Sequence, residues 1–157
     1  MQLQEISDRL EIDDLLTRYA TGVDRREWEL WESCFTADAW IDYGAFGGIA
    51  GGVREVRAWL ERTFQAFGPS QHLVTNRELE IDGDRATARS GFYNPMSLPT
   101  QGGQHLLWFN GGYYCDELVR TAAGWKIRKR VQEFSYSTRH QPMLRARVSG
   151  GDAPNSE

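Results

Sequence analysis

The spacing of apolar residues changes once along this chain, near Gln71, and that change restricts the possible folds more than any other feature. Before it, Ile12, Leu15, Leu16, Tyr19, Ala20 and Val23 recur at helical spacing. They predict an amphipathic helix over about residues 5–23, with Ser7 as N-cap and Gly22 marking its end. Trp28, Trp31 and Phe35 suggest a short second helix over about 26–34. Ala39 to Tyr43 reads as a strand and the glycine-rich stretch Gly44 to Gly52 as a loop. Val53, Val56, Leu60, Phe64 and Phe67 define a third helix that ends near Gly68-Pro69. After Gln71 the period becomes two. Leu79 and Ile81 alternate with Glu78 and Glu80 up to Asp82-Gly83, a strong hairpin signal, and Ala86, Ala88, Ser90 and Phe92 form the return strand. Asn94 to Gln104, with two prolines and a glycine pair, reads as a loop. His105 to Arg120 reads as a long strand that turns at Thr121 to Gly124 and pairs back with Trp125 to about Thr138.

Helices first and antiparallel hairpins later imply an α+β fold. Three N-terminal helices would pack on a curved, mostly antiparallel sheet and leave a cavity between the layers. With 157 residues the chain is sized for one such domain, placed at residues 1–140, followed by an extension over 141–157 that is expected to be partly disordered.

The net charge of −4 and the lack of a basic stripe argue against a nucleic-acid partner. No run of about 18 apolar residues exists to span a membrane. The first residues lack the layout of a signal peptide, and the two cysteines, Cys34 and Cys115, have no metal spacing and read as reduced thiols, so a cytoplasmic location is expected. The six Trp, six Tyr and seven Phe can fill an ordinary core or line an apolar pocket.

Three histidines are candidates for acid–base chemistry: His72, His105 and His140. His140 lies in a polar C-terminal stretch. His105 opens a strand after a glycine pair, facing either a cavity or solvent. His72 opens the first long strand. An imidazole serves as base when a carboxylate holds the proton on its other nitrogen and stabilises the imidazolium. Asp24, just past the apolar face of the first helix, is the candidate partner; it can equally cap the helix that follows. Strict alternation would put His72 on the face opposite Leu79 and Ile81, so a bulge or strong twist is required if both ends are to face the core. Scattered histidines make a poor metal set, and Gly44 to Gly52 lacks the strand–GxGxxG–helix context of a dinucleotide site; neither a metal nor an organic cofactor is expected.

Three stretches carry a resemblance. Tyr19-Ala20-Thr21-Gly22-Val23-Asp24-Arg25-Arg26-Glu27-Trp28, followed by Phe35-Thr36-Ala37-Asp38-Ala39, matches a "Y-x4-D-x3-W" then "F-x-x-D-A" opening. Gln71-His72-Leu73-Val74-Thr75-Asn76 matches an "H-x3-N" strand. Gly111-Gly112-Tyr113-Tyr114, and Trp125-Lys126-Ile127 with Arg130, match a final hairpin. In order and spacing these resemble the SnoaL-like, nuclear-transport-factor-2-like superfamily over roughly residues 5–138. The resemblance implies a cone-shaped α+β barrel. Its nearest functional parallels are scytalone dehydratase, bile acid 7α-dehydratase and hexachlorocyclohexane dehydrochlorinase, cofactor-free lyases whose Asp–His pair falls here on Asp24 and His72, with tyrosines matching Tyr19 and Tyr43.

The resemblance thus implies a dehydratase-type elimination, and the candidate aromatic wall residues together suggest a small hydrophobic, cyclic substrate such as a steroid, terpenoid or polyketide. Trp40, Phe64, Phe67, Trp108, Phe109, Tyr113 and Phe134 would wall the pocket, and Asn76 and His105 would add polar contacts. It also implies a homo-oligomer, with a trimer packed through the outer sheet face favoured and a dimer possible. Val23, where scytalone dehydratase has a tyrosine, and the divergent stretch 94–104 leave the substrate open. So do two alternatives: an isomerase or cyclase using the same pair, and a non-catalytic ligand-binding cone protein.

Overall fold

The computed structural model describes residues 2–138, so His140 and the C-terminal extension lie outside the described residues. Helix α1 runs Leu3–Arg25 and α2 Trp28–Glu32. Strand β1 (Phe35–Asp42), a 3-10 turn (Gly44–Phe46) and the short β2 (Ala50–Gly52) follow. Helix α3 (Val53–Thr63) leads through a second 3-10 turn (Phe64–Ala66) to four long strands: β3 (Leu73–Asp82), β4 (Arg85–Pro99), β5 (His105–Thr121) and β6 (Gly124–Ser137). The sheet is open and six-stranded in the order β2-β1-β6-β5-β4-β3; only β1 and β6 pair in parallel. Helices on one face of a curved sheet give the α+β cone that the sequence pattern implies.

The apolar stripe of α1 is the core of the molecule. Ile12, Leu15, Leu16, Tyr19 and Val23 are buried against Ala86, Ala88, Leu118 and Ile127 of the sheet. Each large aliphatic side chain removed from water there contributes about 1.5–3 kcal/mol. A second tie holds the N-terminal end of α1: buried Asp8 accepts two bonds from Arg120 at 2.6 and 2.7 Å and one from the Trp125 indole at 3.2 Å.

Several element boundaries differ from the sequence expectation, each for a local reason. Helix α1 starts at Leu3 behind Gln2, so Ser7 lies inside the helix, hydrogen-bonded to Glu11. Gly22 does not end the helix. It is a contact point where a Cβ would meet the Trp31 backbone nitrogen at 2.8 Å, and the left-handed residue that ends α1 is Arg26, at φ 59°. Helix α3 stops at Thr63, before Phe64 and Phe67. The expected loop over 94–104 is mostly strand, because β4 continues to Pro99. Its prolines fit there. Odd-numbered residues of this stretch turn their backbone groups toward 68–71, with the Ser97 N–H donating to the Pro69 carbonyl and the Pro95 carbonyl accepting from Gln71. Pro95 and Pro99 therefore remove no donor from the β4–β5 ladder.

The bulge that the alternation required is present. Register between β3 and β4 shifts between Thr75 and Glu78, with Asn76 at φ 47°. One extra residue switches the inward face, so Val74 before it and Leu79 and Ile81 after it all pack on the core.

Candidate active site

The end of α1 and the segment before β3 meet at one carboxylate. The His72 Nδ1 lies 2.6 Å from Oδ1 of Asp24, and the His72 backbone N–H donates to Oδ2 at 2.8 Å. The Ser70 hydroxyl donates to Oδ1 at 3.0 Å. Arg26 locks this corner from behind, donating to the Ser70 hydroxyl at 2.9 Å, the Gly68 carbonyl at 2.9 Å and the Val23 carbonyl at 2.7 Å, with its guanidinium 4.4 Å from the centre of the Phe64 ring. The left-handed turn at Arg26 aims that side chain back at the corner. Burial pushes the Asp24 carboxyl up, but the hydrogen bonds from His72 and Ser70 outweigh it and hold the group below the usual carboxylate range. Asp24 is therefore an anion at neutral pH, and the proton of the short contact sits on Nδ1. The other ring nitrogen, Nε2, has no hydrogen-bond partner among the described residues, and His72 lines a cavity.

The cavity holds about 90 Å³ and lies between α1, α3 and the inner face of β4–β6. Its apolar walls include Phe46, Trp59, Phe64, Phe67, Phe92 and Trp108. The Tyr19 and Tyr43 hydroxyls are 2.8 Å apart on its floor. Burial raises both phenols, so they stay protonated across the neutral range and act as donors. Below them the guanidinium of Arg130 lies 3.9 Å from the Tyr19 ring centre and 4.2 Å from that of Tyr114, and it grips Asp116 through bonds of 2.7 and 2.6 Å. Burial opposes the charge on Arg130, and the buried Asp116 carboxylate more than offsets that.

Of the residues singled out in the sequence, the structure brings Tyr19, Tyr43, Phe64, Phe67, His72 and Trp108 to one cavity, with Asp24 behind His72. Six others lie elsewhere. Trp40 alternates with buried Ala39 and Ile41 on β1 and is 51% exposed. Tyr113 points to the outer sheet face, where the Arg89 guanidinium covers its ring at 3.4 Å. Phe109 stacks on Tyr93 with ring centres 5.7 Å apart, outside the cavity. Phe134 is half exposed and packs on Phe46. Asn76 is the exposed bulge residue. His105 also stands outside the cavity, paired with the Ser97 hydroxyl at 2.5 Å.

Other lining residues were not anticipated: Trp59, Asn94, Asn110 and Gln132. A signal for two of them exists in the sequence. Asn94 interrupts the inward series Phe92–Met96, and Asn110 follows Trp108 at the same period. Reading 94–104 as a loop hid the first of these.

Comparison with known proteins places the chain. A family model described as a SnoaL-like domain matches residues 4–131. The uncharacterised protein Rv2910c of Mycobacterium tuberculosis is 39% identical over 132 residues, covering 84% of this chain and 88% of that one. The crystal structure of the Kfla4162 protein from Kribbella flavida superposes with a TM-score of 0.77 at 31% identity, over 85% of this chain and 94% of that one. The hexachlorocyclohexane dehydrochlorinase LinA-type3 from Novosphingobium barchaimii superposes with a TM-score of 0.73 at 22% identity, over 87% of this chain and 92% of that one, a likeness of fold. With residues 4–131, most of the α+β cone, matched by that family model, the chain belongs to the SnoaL-like domain family.

Proposed function

We propose that the protein is a cofactor-independent lyase that eliminates a β-leaving group from a small hydrophobic cyclic substrate. The observation that carries this reading is the Asp24–His72 contact at 2.6 Å, with Nε2 of His72 without a partner among the described residues at a cavity that also holds two phenols. Nε2 takes a proton from the substrate carbon. The electrons of that C–H bond form the new double bond, and the leaving group departs with its bonding pair. Asp24 keeps the neutral ring in the Nδ1–H form and stabilises the imidazolium. The Tyr19–Tyr43 pair donates to the oxygen on which charge develops. Where the leaving group is hydroxide, the proton taken by His72 returns to it and water is released. The dehydrochlorinase named among the structural neighbours, whose name denotes loss of hydrogen chloride, is consistent with this chemistry.

The cavity narrows the substrate. Sites for drug-sized ligands hold roughly 300–1,000 Å³. A cavity of about 90 Å³ suits a single ring better than the steroid that aromatic content alone suggested.

The test is a screen of small cyclic β-hydroxy ketones and β-halo compounds by mass spectrometry, with His72→Ala as control. Loss of water or hydrogen halide that disappears in a folded His72→Ala variant is the expected result. Equal turnover by both proteins refutes the mechanism, and a His72-dependent product of unchanged mass identifies an isomerase instead.

A further inference from the structure

The cavity contains three buried amide oxygens with no hydrogen-bond partner among the described residues: Oδ1 of Asn94, Oδ1 of Asn110 and Oε1 of Gln132. Asn94 and Asn110 are 4% and 6% exposed, so neither side chain reaches bulk water. Asn94 spends an N–H on the Tyr114 hydroxyl, at 3.4 Å, which leaves its carbonyl oxygen as the unused half. Buried acceptors are normally paired, and three unpaired ones at a single apolar-walled cavity call for a donor from outside the protein.

Sheet register places these groups relative to the base. The pairs Ser70↔Met96 and Leu73↔Tyr93 put His72 opposite Asn94, and Asn94 is opposite Asn110. His72, Asn94 and Asn110 therefore form one row across neighbouring strands. At about 4.8 Å per strand, the backbone of Asn110 lies roughly 10 Å from that of His72.

We propose that Asn94 and Asn110 form a hydroxyl-recognition pair, with Gln132 a separate acceptor deeper along β5–β6, and that the substrate is a single-ring molecule carrying a hydroxyl on the side away from the carbon that His72 deprotonates. This rests on reading the cavity as the substrate site, and it adds what the catalytic residues do not specify: the polar group by which the ring is held and oriented. A hydroxyl donates to one amide oxygen and can accept from a neighbouring amide N–H. A ring without a donor would leave the Asn94 and Asn110 oxygens both buried and unpaired, and the site would discriminate against it.

The experiment is calorimetric binding of phenol and toluene, two rings of similar size, to the full-length protein. Phenol is expected to bind at least about tenfold more tightly than toluene, a preference of the kind that a site with buried unpaired acceptors imposes. Asn110→Leu should bring the two to within about threefold, whereas His72→Ala should leave the preference in place. Toluene binding as tightly as phenol, or no phenol binding, overturns the proposal. So does an undiminished preference in folded Asn110→Leu and Asn94→Leu variants. Because binding is read without turnover, a failure of elimination chemistry leaves this result standing, and the reverse also holds.

Discussion

His72 holds a single carboxylate twice, through its ring Nδ1 at 2.6 Å and its own backbone N–H at 2.8 Å, both to Asp24. The double contact fixes the ring's tautomer and the start of β3 together. An aspartate at the C-terminal end of a helix is disfavoured by the macrodipole, and here three donors from His72 and Ser70 offset that cost.

Asp24→Asn keeps the shape of this corner but presents an amide where an anion was. With the wrong tautomer favoured and no charge to stabilise imidazolium, kcat is expected to fall by about 10²–10⁴ while KM changes little. Steady-state kinetics on the substrate found by the screen checks this. Unchanged kcat would reduce Asp24 to a structural anchor.

The phenol pair predicts strong non-additivity. The Tyr19 and Tyr43 hydroxyls share one hydrogen bond, so together they offer one proton to the cavity. Tyr19→Phe and Tyr43→Phe should each lower kcat about 10- to 100-fold, and the double variant should cost little more than the worse single one. A double-mutant cycle on kcat/KM reads this directly; fully additive losses would mean that the hydroxyls act separately.

Acid stability should depend on Asp8. The hydrogen bonds from Arg120, then those from Trp125 and Gln4, overcome burial and hold its carboxyl well below the usual range, so the folded pKa lies below the unfolded value of about 3.9. For a depressed carboxylate the stabilisation is fully present above the unfolded pKa and is lost as pH falls toward the folded one. Asp8→Asn should therefore lower stability at pH 7 by about 1–3 kcal/mol and by progressively less below about pH 4. Urea unfolding at both pH values tests this, and an equal loss at each would assign the effect to packing.

The outer sheet face bears on the expected homo-oligomer. Tyr93 and Tyr136 flank Gly111 in register and remain 39% and 49% exposed, with Phe109 stacked alongside. Exposed aromatic groups of this kind mark association surfaces. Light scattering should show an oligomer that Tyr136→Glu dissociates while circular dichroism stays unchanged. A monomeric wild-type protein at micromolar concentration would overturn this expectation.

Local pattern was enough for the order of the helices and long strands, the switch from helices to hairpins, the inward stripe of α1 and the need for a bulge in β3, because each follows from period and turn chemistry within a few residues. It missed the short β2 inside the stretch Gly44 to Gly52, whose strand pairing with β1 is a tertiary contact. Asp24, His72, Tyr19 and Tyr43 were legible from a family spacing rather than from physics, since a lone aspartate after a helix is as readily a cap as a partner. Tertiary structure alone decided which aromatics face inward. Trp40 and Tyr113 turn outward because strand parity relative to the core, not hydrophobicity, sets their direction. It also decided that Asn94 and Asn110 face a cavity, since that depends on β4 running on through Pro95 to Pro99 in register with β5, a long-range pairing that no local window contains.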